Sequence, residues 1–144
     1  RGLGDVYKRQ ELRICNLVKI KTSNDAAYYP IYAIDGMGLK VILGSTRQCE
    51  GWKDVSLLKP IPITEKVLLK CGMEEYNEDS SIIKYGYRCD EFRICIVVTG
   101  TNRYILHIHN LKTGEQICGK EIQYLHQLQN IYFDLIGKEL EVSL

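Results

Sequence analysis

The chain has 144 residues, of which 45% are hydrophobic and 26% are charged, and its formal net charge is +1. This composition is typical of an ordinary soluble globular protein with one domain or two very small ones. The near-zero charge gives no bulk attraction to nucleic acid or an anionic membrane, and no apolar run reaches the roughly 18 residues of a membrane span. No secretory leader is recognisable, so we expect a cytoplasmic protein with six reduced cysteines.

Residues 1–10 differ in character from the rest of the chain. They read RGLGDVYKRQ, show no hydrophobic periodicity, and resemble a translated sequencing-adapter fragment. We therefore expect a non-native or disordered tail and leave it out of the fold prediction. Without its three basic residues and one acidic residue, the net charge changes from +1 to −1, which further weakens a nucleic-acid interpretation.

The segment 11–63 is predicted to form a small antiparallel β module. Four short apolar runs predict strands separated by turn-forming stretches: 12–20, 28–34, 39–43 and 52–58. Asp35-Gly36-Met37-Gly38 favours a tight turn, which makes 28–43 the clearest hairpin. Short strands this closely spaced indicate a strongly bent sheet, and we predict an SH3-like barrel.

The segment 64–144 is predicted to form an α+β module. Thr64 is a suitable N-cap for a short linking helix at 65–71. The polar, acidic stretch 74–81 is predicted to be a loop, and antiparallel strands are predicted over about residues 82–109. Within the strand 91–98, Phe92, Ile94 and Ile96 alternate with Arg93, Cys95 and Val97, so the two sets are expected on opposite faces.

An amphipathic helix is predicted over 121–136. Its apolar residues fall at steps of three and four: Leu125, Leu128, Tyr132 and Leu135. Gly137 follows the last of them, where a left-handed C-cap is favourable. The alternation beyond it predicts a terminal strand at 139–143. We expect the helix to cover one face of the C-terminal sheet, which gives an α+β fold overall.

Three segments of the chain form a set of motifs. They are LRICN at 12–16, KPIPITE at 59–65 running into LLKCGM at 68–73, and YLHQLQNIYF at 124–133 followed by LIGKEL at 135–140. In this order they resemble a family of small uncharacterised proteins from gut bacteria, their prophages and mobile elements. Cys15 departs from the resemblance, which would place glycine there. The resemblance implies a cytoplasmic bacterial or phage protein with a shared fold, and it implies no activity.

No catalytic residue, cofactor or metal ligand is assigned from the sequence. It contains no Gly-x-Ser-x-Gly, no P-loop and no His-Glu-x-x-His. His107 and His109 would share one face of a strand and, with a cysteine or His126, provide ligands for a transition metal. A solvated strand face is the simpler interpretation. A Cys/His-dependent enzyme is a further hypothesis, which requires an exposed cysteine beside a histidine in a cleft.

Two groups of residues are candidates for partner binding. The first is the aromatic and basic set of the N-terminal module: Tyr28, Tyr32, Arg47, Trp52 and Lys53. The second lies on the helix beside its apolar stripe: His126, Gln127 and Asn130. We predict a non-enzymatic binding or adaptor protein of a phage or mobile element that acts through contacts with an unidentified protein. The alternative is nucleic-acid binding by the barrel, which a basic aromatic face would support.

Overall fold

The structure of the chain, a computed structural model, contains two compact units. It describes residues 12–21, 27–37, 40–45, 48–49, 51–76, 83–89, 91–100 and 102–143. The first unit combines the chain up to Pro62 with Tyr124–Leu140, and the second combines Ile63–Gln123 with Glu141–Ser143. Among the described residues, each unit contains one antiparallel sheet and one α-helix, which confirms the predicted α+β class.

The sheet of the first unit has six antiparallel strands. They are β1 (Leu17–Ile20), β2 (Tyr29–Ile34), β3 (Lys40–Ser45), β4 (Gln48–Cys49), β5 (Lys53–Asp54) and β6 (Leu58–Lys59). Their order is β4-β3-β2-β1-β6, with β5 beside β3. In the part of the chain that the structure describes, they form an open sheet and not a closed barrel. A short 3-10 helix, Val55–Leu57, divides the single strand that the sequence predicted over 52–58.

Alternation along these strands places one apolar side in a core. The buried cluster consists of aliphatic side chains from β1, β2, β3 and β6 and from the 3-10 helix: Val18, Ile31, Val41, Leu43, Val55 and Leu58. The pairing of β2 with β3 contains a bulge between Ile31 and Ala33. The extra residue is Tyr32, so Ile31 and Ile34 both keep their places towards the core while Tyr32 points away from it.

Helix α2 (Leu125–Ile136) belongs to the first unit. Of its predicted stripe, Leu125, Leu128 and Tyr132 are buried, and Leu135 is half-buried. It ends as predicted at Gly137, whose φ is +76° and whose N–H donates to the Phe133 carbonyl at 2.8 Å. It begins later than residue 121, because β11 (Gln116–Ile122) extends to Ile122. Within the described residues, neither helix has the length and apolar content needed to cross a membrane.

The sequence placed α2 on the C-terminal sheet, and the structure instead groups it with the N-terminal sheet. The helix packs beside β1, and the Leu17 N–H donates to the side-chain oxygen of Gln129 at 3.0 Å. At the first residue of the helix, the Leu125 N–H donates to the Ile61 carbonyl at 2.9 Å. An apolar stripe shows that one side of a helix is buried, but it does not identify the sheet that covers it. In this chain, the hydrogen bonds of Gln129 and Leu125 join the helix to the N-terminal segment.

The second unit contains helix α1 and a five-stranded antiparallel sheet. Helix α1 (Glu65–Lys70) confirms the predicted linking helix, and the Thr64 hydroxyl accepts from the Val67 N–H at 3.2 Å as an N-cap. The sheet order is β11-β10-β9-β8-β7, with β7 (Glu74–Tyr76), β8 (Ile83–Cys89), β9 (Phe92–Val98) and β10 (Tyr104–Asn110). The strands predicted over 82–109 are confirmed. Strand β7 lies where a loop was predicted.

One face of this second sheet is buried. Ile94 and Ile96 are almost inaccessible, while Arg93 is exposed and Cys95 and Val97 are half-buried, as the alternation predicted. Tyr85 on β8 and Leu106 on β10 lie beside Ile96 in the register and are also buried. The opposite face therefore carries the side chains that have access to solvent.

The predicted terminal strand at 139–143 is wrong, because residues 139–143 have irregular backbone. Glu139 forms an ion pair with Arg13, Leu140 is buried, and the Ser143 N–H donates to the Lys70 carbonyl at 2.8 Å. Alternation over only five residues is a weak indication of a strand. The conformation of residues 139–143 depends instead on the contacts of its individual residues.

Candidate functional site

The structure brings two of the predicted binding residues, Tyr32 and Trp52, to the same side of the N-terminal sheet. Tyr32 lies in β2 and is 63% exposed. A Cβ atom built on Gly44 of β3 would lie only 3.2 Å from the Tyr32 Cβ, so the tyrosine covers bare backbone at this point. The glycine therefore leaves room for the aromatic side chain directly above the strand.

Trp52 is placed by the pairing of β5 with β3. Lys53 pairs with Val41, and Trp52 directly precedes Lys53 in the chain. Because Val41 is in the core, alternation puts Ile42 and Trp52 on the opposite side. Trp52 is 52% exposed. We call Tyr32, Ile42, Gly44 and Trp52 the aromatic face.

The charges beside the aromatic face are of both signs. Lys40 pairs directly with Asp54 across β3 and β5. The pKa of the Asp54 carboxyl is lowered, first by the Ser56 N–H that donates to it at 2.9 Å and also by the nearby Lys40 ammonium. An opposite-charge pair of this kind carries no net charge at neutral pH.

The remaining predicted residues of the N-terminal module are placed differently. Lys53 lies level with Val41 and alternates away from Trp52. Tyr28 precedes β2, and the Lys19 ammonium lies 5.5 Å from the centre of its ring. Arg47 lies outside the described residues. Because Val18 and Tyr29 pair with each other and pack in the core, alternation puts Lys19 and Tyr28 on the same side of the sheet as Tyr32, so the described residues of this side include a basic aromatic pair.

The predicted helix residues make contacts within the first unit. Asn130 Oδ1 accepts from Asn16 Nδ2 at 2.8 Å and from Arg13 Nε at 3.2 Å. Gln127 Oε1 accepts from the Tyr124 N–H at 3.1 Å, which caps the start of α2. These hydrogen bonds favour a structural role for both residues.

His126 is 1% exposed, and its ring is stacked on that of Tyr124 with centroids 5.8 Å apart. Burial lowers the pKa of His126 to about 4, so its imidazole is neutral at pH 7. The neutral His126 ring therefore packs inside the unit. A binding partner has almost no access to it.

A polar network that the sequence did not reveal ties the segment 13–17 to α2. The Arg13 guanidinium pairs with the Glu139 carboxylate and lies 4.2 Å from the centre of the Phe133 ring. The Gln129 side chain accepts from the Leu17 N–H and donates to the Cys15 carbonyl at 3.4 Å. Asn16 and Gln129 are buried. The network joins residues from two of the sequence motifs, LRICN and YLHQLQNIYF, although the sequence did not indicate that these motifs contact each other.

Cys15, within that first motif, has a φ of +75°, which non-glycine residues rarely adopt. We expect Cys15→Gly to raise the free energy of unfolding by about 1 kcal/mol, because glycine adopts this conformation without steric strain. Urea unfolding followed by circular dichroism measures the change. Cys15→Ala is the matched control, since it removes the thiol but keeps the strain; an equal gain in that variant would contradict the explanation.

The histidines of the second unit lie on its solvent-accessible face. His107 pairs directly with Cys95, and His109 with Arg93. Within the residues that the structure describes, no group of three or more His, Cys, Asp or Glu side chains is arranged to hold a metal ion. The arrangement is that of a polar strand face.

The cysteines and tyrosines of the second unit show the effect of burial. Burial raises the pKa of the Cys71 thiol to about 12, so it remains protonated at neutral pH and is a poor nucleophile. Burial, and then the nearby Glu65 carboxylate, raise the pKa of Tyr85 to about 12. Cys89 pairs with Phe92 and Cys95 with Gly86, so the hairpin does not place these two cysteines opposite each other.

Comparison of the chain with protein-family models, with curated proteins and with solved structures gave no match. Arguments about function therefore rest on the chain's own residues.

Proposed function

We propose that the protein is a non-enzymatic binding module that contacts another protein through the aromatic face. The observation that carries this proposal is the exposure of Tyr32 and Trp52 on one side of a single sheet. Large aromatic side chains are the residues that most often supply binding energy at protein interfaces. Burying more than half of each ring against a partner would gain free energy that the isolated chain does not obtain.

The surroundings of the aromatic face also support a protein partner. Lys40 stands opposite Asp54, so charges of both signs lie directly beside the face, while Lys19 and Lys59 pair with each other farther along the same side of the sheet. Met37, in the turn after β2, and Leu57, in the 3-10 helix, are further exposed apolar residues of the first unit. Exposed apolar side chains rimmed by balanced charges are typical of protein interaction sites.

The biological setting is part of the proposal. The motif resemblance suggests an adaptor encoded by a phage or mobile element and acting in the bacterial cytoplasm. An SH3-like arrangement of the N-terminal strands is likewise proposed, on the basis of their number and shortness. An experimental structure of the chain would test it.

The binding proposal predicts that Tyr32→Ser combined with Trp52→Ser abolishes partner capture. The full chain is immobilised, and bacterial lysate is passed over it with and without nuclease. We expect a stoichiometric protein that survives nuclease, with recovery at least about tenfold lower on the double variant, because central aromatic residues dominate interface energies.

The control is Leu69→Ser combined with Leu111→Ser, which removes two exposed apolar side chains of the second unit. This variant is expected to capture the partner as the unsubstituted chain does. Equal loss in both double variants would contradict the proposal, because it would show nonspecific hydrophobic adsorption. Recovery of nucleic acid, or loss of the partner on nuclease treatment, would favour nucleic-acid binding instead.

A further inference from the structure

We infer that the partner segment bound by the first unit is acidic: a stretch of a protein that carries several carboxylates beside apolar residues. This inference rests on the proposed binding function and specifies the chemistry of its ligand. Two observations carry it. One is the charge of a pair of lysines, Lys19 and Lys59, and the other is the position of this lysine pair on the same side of the sheet as the aromatic face.

The lysine pair is placed by the pairing of β1 with β6, in which Lys19 stands directly opposite Lys59. Their neighbours in the chain, Val18 and Leu58, are fully buried in the core of the unit. Alternation therefore turns both lysines to the opposite side of the sheet. Directly opposed residues of an antiparallel pair have Cβ atoms about 4.5–5.5 Å apart, so the two lysine side chains begin side by side.

No carboxylate of the described residues lies within ion-pair distance of the lysine pair. Ion pairs are formed elsewhere in the described chain, by Arg13, Arg103 and Lys112. The Lys19 ammonium lies over the Tyr28 ring, 5.5 Å from its centre. Like charges directly opposite each other on a sheet are destabilising. An anionic ligand would convert this unfavourable pair into a favourable contact.

The lysine pair and the aromatic face lie on one side of the same sheet. Strand β2, which carries Tyr32, pairs with β1, which carries Lys19. Within the described strands of this sheet, this side carries three lysines, at 19, 40 and 59, and one aspartate, at 54. A ligand lying along this side therefore meets positive charge over β6 and β1 and apolar side chains over β2 and β3.

Asp54 favours a protein segment over a strand of nucleic acid. Its carboxylate follows Trp52 by two residues on the same side, and the Ser56 N–H that donates to it lowers its pKa, so it is ionised at neutral pH. A single strand whose bases stack on Trp52 carries a phosphate at every nucleotide, and its backbone would meet this carboxylate. A peptide can place an apolar residue there and its own carboxylates opposite the lysine pair.

The test is a titration of a dye-labelled peptide, Glu-Asp-Glu-Asp-Gly-Leu-Phe, with the full-length protein, followed by fluorescence anisotropy. We expect saturable binding. It should weaken at least about tenfold between about 0.1 M and about 1 M salt, because the screening length falls from about 10 Å to about 3 Å. The matched peptide Gln-Asn-Gln-Asn-Gly-Leu-Phe, in which each acid is replaced by its amide, should bind at least about tenfold more weakly.

Two double variants locate the interaction. Lys19→Gln combined with Lys59→Gln should weaken binding of the acidic peptide at least about tenfold while leaving the circular dichroism spectrum unchanged. Lys66→Gln combined with Lys120→Gln removes the same charge at exposed positions of the second unit and should bind like the unsubstituted chain. The inference is overturned if the acidic peptide does not bind, if the amide peptide binds equally well, or if both double variants bind alike.

A competing oligothymidylate of the same net charge separates the two classes of anionic partner. We expect it to bind more weakly than the acidic peptide, because it cannot avoid Asp54. Equal or tighter binding of the oligothymidylate would overturn the inference in favour of nucleic acid.

Capture from lysate separates this inference from the proposed function. If a captured protein depends on Tyr32 and Trp52 but not on the lysine pair, the binding module stands and the acidic ligand is wrong. If the double variant of Tyr32 and Trp52 captures that protein as well as the unsubstituted chain does, the aromatic face is not the binding site and both proposals fail.

Discussion

Replacing Gln129 by leucine is expected to lower the free energy of unfolding by about 2–3 kcal/mol, although the two side chains are similar in size. The amide of Gln129 is 2% exposed and accepts from the backbone N–H of Leu17, which is itself buried. Leucine fills the space but leaves that N–H without its acceptor in a site from which water is excluded. The loss of a buried hydrogen-bond partner outweighs the gain from a more apolar side chain.

Urea unfolding at pH 7, followed by the helical circular dichroism signal, measures this effect. Asp134→Leu is the matched control, because Asp134 lies on the exposed side of the same helix and should change stability by less than about 0.5 kcal/mol. If Gln129→Leu were as harmless as the control, the hydrogen bond between α2 and β1 would not contribute to stability as we argue.

A second large effect is expected from pH. Burial in the folded protein lowers the pKa of His126 to about 4, below its usual value of 6.5. As pH falls through 6.5 the unfolded chain binds a proton at this site and the folded chain does not. The stabilisation is therefore complete above about pH 6.5 and is lost as pH falls towards 4. Between pH 7.5 and 4.5 the loss amounts to about 2–3 kcal/mol.

The measurement compares unfolding free energies of the unsubstituted chain and His126→Phe across this range. Phenylalanine keeps a ring beside Tyr124 but does not titrate, and the other titrating groups are common to both proteins. We expect the stability difference between the two proteins to shift in favour of the variant by about 2–3 kcal/mol at pH 4.5. Two parallel stability curves would show that His126 is not held neutral by burial.

Local periodicity predicted those elements whose side chains alternate between core and solvent. The stripe of Leu125, Leu128 and Tyr132 and the C-cap at Gly137 are found in α2, and the alternation of β9 is found in the second sheet. Strand β11 was missed because it combines Gly119 at positive φ with charged Lys120 and Glu121, a pattern typical of a loop. Strand formation there depends on its pairing with β10, which short-range sequence does not show.

For the aromatic face too, the sequence predicted some features, and others depend on contacts between distant residues. The concentration of aromatic residues identified Tyr32 and Trp52, but grouping by sequence also included Lys53, which the period of two places on the other side of β5. Gly44 leaves room for the Tyr32 side chain, which lies over β3 because of the bulge in β2. No local sequence pattern predicts that contact. Likewise, Arg13 and Glu139 are 126 residues apart, so only the folded chain shows that they pair.

The return of α2 to the N-terminal sheet has a consequence for the order of folding. During synthesis, the first unit cannot complete its fold until the ribosome has made the whole segment Ile63–Gln123 and the helix after it. Closing a disordered loop of that length would cost roughly 4 kcal/mol of chain entropy. The second unit removes most of this cost if it folds first, because its Ile63 N–H donates to the Gln123 carbonyl at 2.9 Å and holds its two ends side by side. If the second unit folds first, α2 therefore joins the N-terminal sheet at a lower cost in chain entropy.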